Sequence, residues 1–335
     1  MRTLSWSFIS VLFCAVFSSQ VLFSQEPLVE YAGRTMGTTY SVKFRGWRPV
    51  DFKTQIEGRL FQINQQMSTY LLHSEISRLN GGDVGTWYDV SPEFIRVYDL
   101  AKDIHRQTGG AFEPTLGELV NLWGFGPKGR VTKVPNDLDL QDALRNMGFQ
   151  KIISADGKRL QKTNAKVYLD FSAIAKGFAV DYLAEYLDYL GIQNYLVEVG
   201  GEVRTKGLKK SGHPWKIGIE MPSMGRSVMK VVAPNGRAVA TSGDYRNYFE
   251  SEGQRYSHIL DPRTGRPIKH RLASVSVLAE TCAEADAYAT AFMVMGYEES
   301  MKVVKRLELG ALFIVRTEKG FETRISETFK PYIVN

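Results

Sequence analysis

The amino-acid sequence predicts an α+β fold in which antiparallel sheets carry helices on one face. Two observations support this prediction. Amphipathic segments that end in glycine dominate the first half of the chain, whereas the second half consists mainly of short alternating segments typical of antiparallel strands. The content of 44% hydrophobic and 23% charged residues is that of a globular protein, so the chain of 335 residues can bury a full core.

The first half is predicted to contain helices with clear start and stop signals. Ser91 supplies an N-cap and Pro92 a first-turn residue for one of them, and Gly109 ends it. Ahead of the helices, residues 33–42 are predicted to form a glycine-hinged approach into a strand. The predicted helices cover residues 55–66, 92–108, a short run that ends at 122, and 137–147.

The middle of the chain is predicted to form a strand, a short turn and a helix. Residues 166–169 favour a strand, and apolar residues spaced by three and four run from Ile174 to Leu190. Asp170 leaves the strand end, and Lys176 lies in the first turn of the helix. A lysine at a helix N-terminus opposes the macrodipole unless an anion is bound there, so this turn is a candidate phosphate site. The alternative is a core junction with an exposed lysine.

The second half is predicted to contain mostly strands. Gly200 and Gly201 lie between two of them and indicate a hairpin. Residues 240–246 are predicted to form a small-residue turn whose backbone amides are candidates for contact with a ligand, with a plain connection between strands as the alternative. Thr281 and Glu284 have the spacing of a capping box, which indicates the start of the last helix. The predicted strands cover residues 195–199, 202–206, 215–220, 227–232, 237–241 and 311–316.

Two groups of residues are candidates for chemistry in this half. Asp286 and Thr290 lie four apart on one face of the last helix, and their hard oxygens suit magnesium or calcium. A closely packed helix whose threonine bonds back to a carbonyl is the alternative. Of five histidines, His258 is the best placed for general-base chemistry, because it follows a short predicted strand and precedes an Asp-Pro turn. A structural histidine is the alternative.

The charge of the chain does not indicate nucleic-acid binding, because the basic residues behind the net charge of +6 are scattered. One denser group is a candidate for contact with an anionic ligand, with a solvated loop as the alternative. It consists of Arg263, Arg266, Lys269, His270 and Arg271. Residues 124–129 match the spacing of a dinucleotide fingerprint, but Pro127 interrupts it and no helix follows, so a loop is predicted.

The N-terminus has the features of a secretory signal peptide. A mostly apolar run covers residues 4–24, and Ser19 and Ser24 are candidates for the residue before the cut. An uncleaved anchor is the alternative, since the run is nearly long enough to span a bilayer. A lipid anchor on Cys14 is not expected, because bulky residues precede it. Without the signal, Cys282 is the only cysteine, which excludes an internal disulfide and a cysteine-based zinc site.

Seven short motifs follow one another along the chain. They are Met36-Gly37-Thr38, Gly110-Ala111-Phe112-Glu113-Pro114-Thr115, Asn121-Leu122-Trp123-Gly124-Phe125-Gly126, Asp170 to Gly177, Val199-Gly200-Gly201-Glu202, His258 to Gly265 and Asp286 to Thr290. Each motif alone is weak, whereas the ordered set is specific. Together they resemble the ApbE family of FAD:protein FMN transferases, formerly described as thiamine-biosynthesis lipoproteins.

The resemblance implies a T-fold-like catalytic domain over residues 28–335, with FAD in a cleft between two lobes, after a signal peptide or anchor at residues 1–24. It implies that FMN passes from FAD, the substrate, to a Thr or Ser hydroxyl of a target protein and that AMP departs. Magnesium would bridge the FAD pyrophosphate. Exported members usually modify membrane-bound redox subunits, so the resemblance implies a periplasmic chain or one attached to the outer face of the inner membrane.

The resemblance also assigns individual residues by motif position. FAD contacts are expected from Met36, Tyr70, Ala111, Phe112, Glu113, Asp170, Lys176, Tyr245 and Leu260. Magnesium ligands are expected from the Ala173 carbonyl, Asp286 and Thr290. Phosphoryl transfer needs positioned anions and an acceptor for the hydroxyl proton. We expect Lys176 to position the phosphate and His258 to accept the proton.

Two features depart from the pattern of the family. Glu113 stands where the family usually has Asp, and the longer carboxylate is expected to shift a contact with the isoalloxazine or the adenine. Phe13-Cys14 does not support the lipoprotein cleavage site that many members carry.

Two other functions are compatible with the sequence. Hydrolysis of FAD to FMN and AMP would use the same ions and cleft, with water in place of the acceptor hydroxyl. An exported protein that only binds FAD is the second alternative; Asp286 and Thr290 argue against it, since binding alone needs no metal-bridged pyrophosphate. Covalent flavin on a partner protein distinguishes transfer from both.

Overall fold

The computed structural model describes residues 27–334 apart from residues 48, 132, 210–211, 223–226, 246–247 and 252–253. The expected signal peptide or anchor at residues 1–24, with Cys14, lies outside the described residues. Among the residues that are described, no helix combines the length and the apolar character needed to cross a bilayer. Cys282 is a free and buried cysteine.

The described part of the chain alternates helices and strands. Its α-helices are α1 (Phe52–Met67), α2 (Glu75–Gly81), α3 (Pro92–Gln107), α4 (Gly117–Leu122), α5 (Asp137–Asn146), α6 (Ala175–Tyr189) and α7 (Cys282–Leu307). Its strands are β1 (Leu28–Thr35), β2 (Thr38–Arg45), β3 (Trp87–Asp89), β4 (Ile152–Ala155), β5 (Arg159–Lys162), β6 (Asn194–Val199), β7 (Glu202–Lys206), β8 (Ile217–Glu220), β9 (Val228–Val232), β10 (Ala238–Gly243), β11 (Tyr248–Ser251), β12 (Gln254–Ser257), β13 (Leu260–Asp261), β14 (Arg266–Pro267), β15 (Leu272–Ala279), β16 (Gly310–Thr317), β17 (Gly320–Ile325) and β18 (Ile333–Val334).

The centre of the fold is an eight-stranded antiparallel sheet with the order β1-β2-β6-β7-β10-β15-β16-β17. Successive side chains of its strands face opposite layers. Ala238 and Ala240 belong to the core cluster that includes residues of α6 and α7, whereas Val239 between them packs in a second cluster with Ile219 and Phe329. Helices α6 and α7 therefore cover one face and the sheet β18-β9-β8 covers the other, which confirms the predicted α+β class.

The pairing of α6 with α7 positions the functional residues. Gly177 permits their close approach, because a Cβ at this position would lie 2.3 Å from the carbonyl oxygen of Cys282. Asp181, one turn further along α6, accepts hydrogen bonds from the backbone N–H groups of Cys282 and Ala283, each at 2.9 Å. Arg204 of β7 donates to the same carboxylate at 2.7 Å. A side chain of α6 therefore caps the N-terminus of α7.

The strongest start and stop signals in the sequence are confirmed. The side chain of Ser91 accepts a hydrogen bond from the Phe94 backbone at the start of α3. Both hydrogen bonds of the capping box between Thr281 and Glu284 are present at the start of α7. Strands β6 and β7 form the predicted hairpin around Gly200 and Gly201.

The prediction of a strand at residues 166–169 was wrong. Tyr168 makes one isolated parallel bridge, to Leu116, and no ladder. The segment lies beside the loop that precedes α4: the backbone N–H of Asp170 donates to the Pro114 carbonyl at 2.7 Å, and that of Gly117 donates to the Tyr168 carbonyl at 3.1 Å. The Asn80 side chain bonds both the N–H and the C=O of Leu169, at 2.7 and 2.8 Å, so the backbone groups that a neighbouring strand would need are already paired.

Two turns also differ from their predicted places. Residues 33–42 form the β1–β2 hairpin, in which Met36 and Gly37 have φ angles of 50° and 72°. These left-handed values are those of a tight two-residue hairpin turn. Residues 240–243, predicted as a turn, continue β10 and pair with β15 as far as Gly243.

Candidate active site

A cavity of about 550 Å³ opens beside the N-terminal ends of α6 and α7, within the size range of small-molecule sites. Nearly all of the site residues expected from the sequence line it. They are Tyr70, Ala111, Phe112, Glu113, Asp170, Ala173, Lys176, Tyr245, His258, Leu260, Asp286 and Thr290. The structure thus brings together candidate binding, metal and catalytic residues from segments that are far apart in the sequence.

Met36 is the exception among the expected site residues, because it is not part of the cavity wall. It lies in the β1–β2 turn and packs, partly buried, against the main core. The next residues of this hairpin are close to the cavity: the Gly200 N–H donates to the Thr39 carbonyl at 3.0 Å, and Gly200 lines the cavity.

A cluster of three charged side chains lies at the centre of the cavity wall. The Lys176 Nζ is 2.7 Å from Glu202 Oε1 and 3.5 Å from Asp286 Oδ2. Burial by itself lowers the pKa of Lys176, but the two carboxylates outweigh this effect and raise it, so the lysine stays charged. Lys176 is therefore paired with two carboxylates of the protein, Glu202 and Asp286. It is not the exposed lysine that the alternative of a core junction predicted.

Asp286 reaches the N-terminus of α6 as well as the lysine. The backbone N–H of Gly177 donates to Asp286 Oδ2 at 3.0 Å and makes no bond to the carbonyl of Ala173, four residues earlier. The anion that the helix N-terminus favours is thus supplied by Asp286 from α7. As a consequence, the Ala173 carbonyl is left without a helical hydrogen bond where it borders the cavity.

The donor atoms around Asp286 fit a hard divalent cation. The hydroxyl of Thr290 makes no hydrogen bond within the described residues, so it does not bond back to a carbonyl of α7. Oε2 of Glu202 is buried and has no hydrogen-bond partner. The described part of the chain contains no cluster of three or more His, Cys, Asp or Glu side chains able to hold a metal. Magnesium needs fewer, since it usually takes one or two carboxylates together with waters and substrate phosphates.

Asp170 and Tyr70 form a second polar region of the wall. The Asp170 carboxylate accepts hydrogen bonds from the backbone N–H and the hydroxyl of Ser172, at 2.8 and 2.5 Å. Burial raises the pKa of Asp170 in spite of these bonds. The Tyr70 hydroxyl donates to the carbonyl of Phe125, another residue of the cavity wall, at 3.2 Å. Burial together with the charge of Asp170 raises the pKa of Tyr70.

The Glu113 carboxylate makes its contacts with other residues of the protein. Oε1 accepts hydrogen bonds from the Thr115 backbone and hydroxyl, at 2.9 and 2.5 Å, and Oε2 lies 3.3 Å from His105 Nδ1. The side chain is 5% exposed and still borders the cavity. The extra methylene relative to Asp is therefore accommodated by contacts with Thr115 and His105.

His258 directly follows β12 and faces the cavity, as expected from its place before the Asp-Pro turn. Its ring meets that of Phe125 edge to face, with centroids 6.2 Å apart. The loops that carry these two residues are joined by a buried hydrogen bond from Trp123 Nε1 to the Gly265 carbonyl at 2.8 Å. Leu260 packs in the same cluster as Trp123, so the loop of His258 is held by a small core of its own.

The basic group at residues 263–271 lies away from the cavity wall. Arg263 pairs with Asp261 at 2.7 Å, and Arg266 pairs with Asp137. His270 Nε2 is hydrogen-bonded to the Met293 carbonyl at 2.8 Å. These basic side chains therefore have partners among the other residues of the protein, which supports the alternative of a solvated loop.

Sequence reasoning missed several residues of the wall. Glu202 belongs to the motif Val199-Gly200-Gly201-Glu202 but had no role assigned to it, because its contact with Lys176 follows only from the fold. The strand segment 218–220 carries no motif of its own, and only the fold reveals it. Residues 241–243, which belong to the segment predicted as a small-residue turn, also line the cavity.

Comparison with known proteins agrees with this geometry. A sequence profile of the ApbE family matches residues 36–313. The chain is 45% identical over 310 residues to the FAD:protein FMN transferase of Vibrio cholerae, covering 91% of this chain and 92% of the relative. It is 41% identical to the enzyme of that name from Haemophilus influenzae, covering 90% and 91%.

Solved structures give the same result. The flavin transferase ApbE from Vibrio cholerae superposes with a TM-score of 0.85 at 42% identity, covering 92% of this chain and 99% of that one. The apo flavinyl transferase ApbE from Pseudomonas stutzeri superposes with a TM-score of 0.84 at 40% identity, covering 92% and 97%. By sequence, by fold and by the motifs that meet in the cavity, the chain belongs to the ApbE family.

Proposed function

We propose that this chain is an FAD:protein FMN transferase: it moves FMN from FAD to a Thr or Ser hydroxyl of an acceptor protein and releases AMP, with the help of magnesium. One observation carries the proposal. The Lys176–Asp286 pair, the open Ala173 carbonyl and the Thr290 hydroxyl lie in the same cavity as His258. A cation, a pyrophosphate and a proton acceptor would thus meet at one place, as phosphoryl transfer requires.

The binding of the pyrophosphate would fall to the charged cluster. Lys176 presents a permanent positive charge to the cavity, and Glu202 fixes its Nζ at 2.7 Å. Ala173, Asp286 and Thr290 would hold magnesium, which when bound neutralises charge that develops on the phosphate oxygens. Tyr70, Asp170 and Leu260, with the buried segment 111–113, would surround the rest of FAD.

The reaction itself exchanges one P–O bond for another. The oxygen of the acceptor hydroxyl attacks the phosphorus of the FMN half, the P–O bond to the AMP half breaks, and AMP leaves with the bridging oxygen. The proton of the hydroxyl passes to a ring nitrogen of His258, which is the proton acceptor in this proposal. Such a group typically contributes about 10²- to 10⁴-fold to a rate.

The acceptor and its location are part of the same proposal. The predicted signal or anchor at residues 1–24 supports an exported chain in the periplasm or on the outer face of the inner membrane. A membrane-associated redox subunit on that side, carrying a Thr or Ser site, is the expected acceptor. Nothing in the charge distribution supports a nucleic-acid partner.

The proposal is tested by incubating the chain with FAD, magnesium and a candidate redox subunit and looking for flavin fluorescence on the acceptor after denaturing electrophoresis. We expect a fluorescent band with the wild type, its loss in Asp286→Ala, and a rate lower by about 10²-fold or more in His258→Ala. Full activity in His258→Ala would exclude it as the proton acceptor. Free FMN and AMP without a band, with every exported redox subunit tried, would replace transfer by hydrolysis; FAD bound but unchanged would indicate a carrier.

A further inference from the structure

Strand β8 is an edge strand of its sheet and borders the cavity. Within the described residues the sheet has the order β18-β9-β8, so β8 pairs with β9 on one side only. Gly218, Ile219 and Glu220, three of its four residues, line the cavity. Proteins usually shield an exposed strand edge, because its unpaired backbone groups can bind the strand of another chain.

The pairing with β9 determines which backbone groups of β8 face outward. The Met221 N–H donates to the Ser227 carbonyl at 2.8 Å, directly after the register pair of Glu220 with Val228. Backbone groups alternate in direction along an antiparallel strand. The register shifts between Ile219 and Glu220, but the extra residue lies on β9, so the alternation along β8 itself is kept. Ile219, like Met221, therefore turns its N–H and C=O toward β9, and Gly218 turns its own away. No further hydrogen bond to the Gly218 backbone is formed within the described residues.

The side chains of β8 hold the strand in place, and its edge is exposed at Gly218. Ile217 and Ile219 pack in the cluster with Phe329 on the back of the large sheet, and Ile219 is 2% exposed. Gly218, between them, is exposed and has no side chain that would keep another backbone at a distance. A glycine inside a strand often marks such a close approach.

We propose that β8 is the docking strand for the acceptor protein, whose Thr- or Ser-bearing segment adds to the edge at Gly218 as an extended strand. The inference rests on the proposed function, because a transferase of this kind must bring a hydroxyl of a polypeptide into the cavity that β8 borders. Binding through main-chain hydrogen bonds positions a segment independently of most of its side chains. The edge thus fixes the depth to which the acceptor hydroxyl enters the cavity.

The first test compares Gly218→Pro with Gly218→Ala. Both variants place a Cβ about as close to Val228, 3.1 Å from its Cγ2 in the ideal position, but only proline lacks the outward N–H. Proline is tolerated on an edge strand where the N–H faces outward. We expect KM for the acceptor to be about tenfold higher in the proline variant than in the alanine variant, with the same KM for FAD in the two.

The outcomes of this comparison distinguish a docking strand from a part of the FAD site and from a failure of the proposed function. Equal KM values for the acceptor would overturn the docking strand. A parallel rise in KM for FAD would also overturn it, since the edge would then belong to the FAD site. If the wild type labels no acceptor at all, the proposed function fails before this comparison is reached.

A second test leaves the enzyme unchanged. The acceptor that the wild type labels is scanned with proline at each of the residues flanking the modified Thr or Ser. A docked strand has every second N–H bonded to β8, so transfer should fall at alternate positions. Uniform sensitivity, or none, would contradict strand addition.

Discussion

At the scale of single residues, the charge balance of the cavity depends on Glu202. Its side chain is 4% exposed, one carboxylate oxygen is bonded to Lys176 and the other has no partner. Burial raises the pKa of Glu202 to about 7; attraction by Lys176 opposes the rise and repulsion by Asp286 adds to it. The folded protein therefore binds a proton at Glu202 at a pH where the unfolded chain has released it.

For the metal-free protein, we expect Glu202→Gln to remove one part of the pH dependence of the unfolding free energy. With the pKa of Glu202 raised from 4.5 to about 7, its stabilising contribution is present below about pH 4.5 and is lost as the pH rises through about 7. The difference between wild type and variant should change by about 2 to 3 kcal/mol across this range.

Urea denaturation of both proteins at about pH 4.5 and about pH 8 measures this change. Glu322→Gln is a matched control, because the Glu322 side chain is 53% exposed and its pairing with Arg324 lies on the outer strand β17. A wild-type-minus-variant difference that stays constant with pH would show that Glu202 does not titrate in this range.

Some of these residues were predictable from the sequence, and some were not. The roles of Lys176 and Asp286 could be predicted from their positions on a helix. Lys176 is a cation in a first turn, and Asp286 is a carboxylate four residues before a hydroxyl. Glu202 lies after a glycine turn, where a glutamate is ordinary, and only the contact between its strand and α6 gives it a role.

At the scale of elements, the active site depends on the contact between α6 and α7. Gly177 brings the two helices together, and Asp181 satisfies the first N–H groups of α7 from the side of α6. The same contact places Lys176 of one helix against Asp286 of the other. Loss of the cap would therefore disturb both the stability and the charged cluster.

We expect Asp181→Ala to destabilise the protein by about 3 to 5 kcal/mol, because it leaves Arg204 and two buried N–H groups without their partner. Glu185→Ala is the matched control on the same helix: its pair with Arg96 is 2.7 Å long, but both side chains are about half exposed. That loss should be at most about 1 kcal/mol. Equal shifts of the urea midpoint in the two variants would contradict a capping role.

Elements with local signals were predicted well, and those that depend on distant contacts were not. The helices α3 and α7 are encoded by their caps, Ser91 and Thr281, which act within one turn. Residues 166–169 have the composition of a strand, but they lie beside the loop at residues 114–117, and the Asn80 side chain takes both backbone groups of Leu169. Strand formation needs a partner, and composition does not supply one.

At the scale of the whole molecule, the cavity is formed where one end of the large sheet, the ends of α6 and α7 and several loops meet. The ordered motifs identify these segments in the sequence, but their closure around one space of about 550 Å³ follows from the packing. The edge of β8 shows this best, since its three cavity residues belong to a different sheet and match no motif. Function could therefore be inferred from the sequence through resemblance, whereas the docking strand that we propose for the acceptor required the fold.

In the proposed reaction, FMN leaves this cavity bonded to a hydroxyl of the acceptor protein and is not released by hydrolysis. The most direct measurement is the molar ratio of flavinylated acceptor, by intact-protein mass spectrometry, to AMP released in a single turnover of the wild-type chain with FAD and magnesium. We expect a ratio of about one, because one P–O bond to the acceptor forms for each P–O bond that is broken to release AMP. AMP in large excess, with free FMN in solution, would contradict it and identify the chain as a hydrolase.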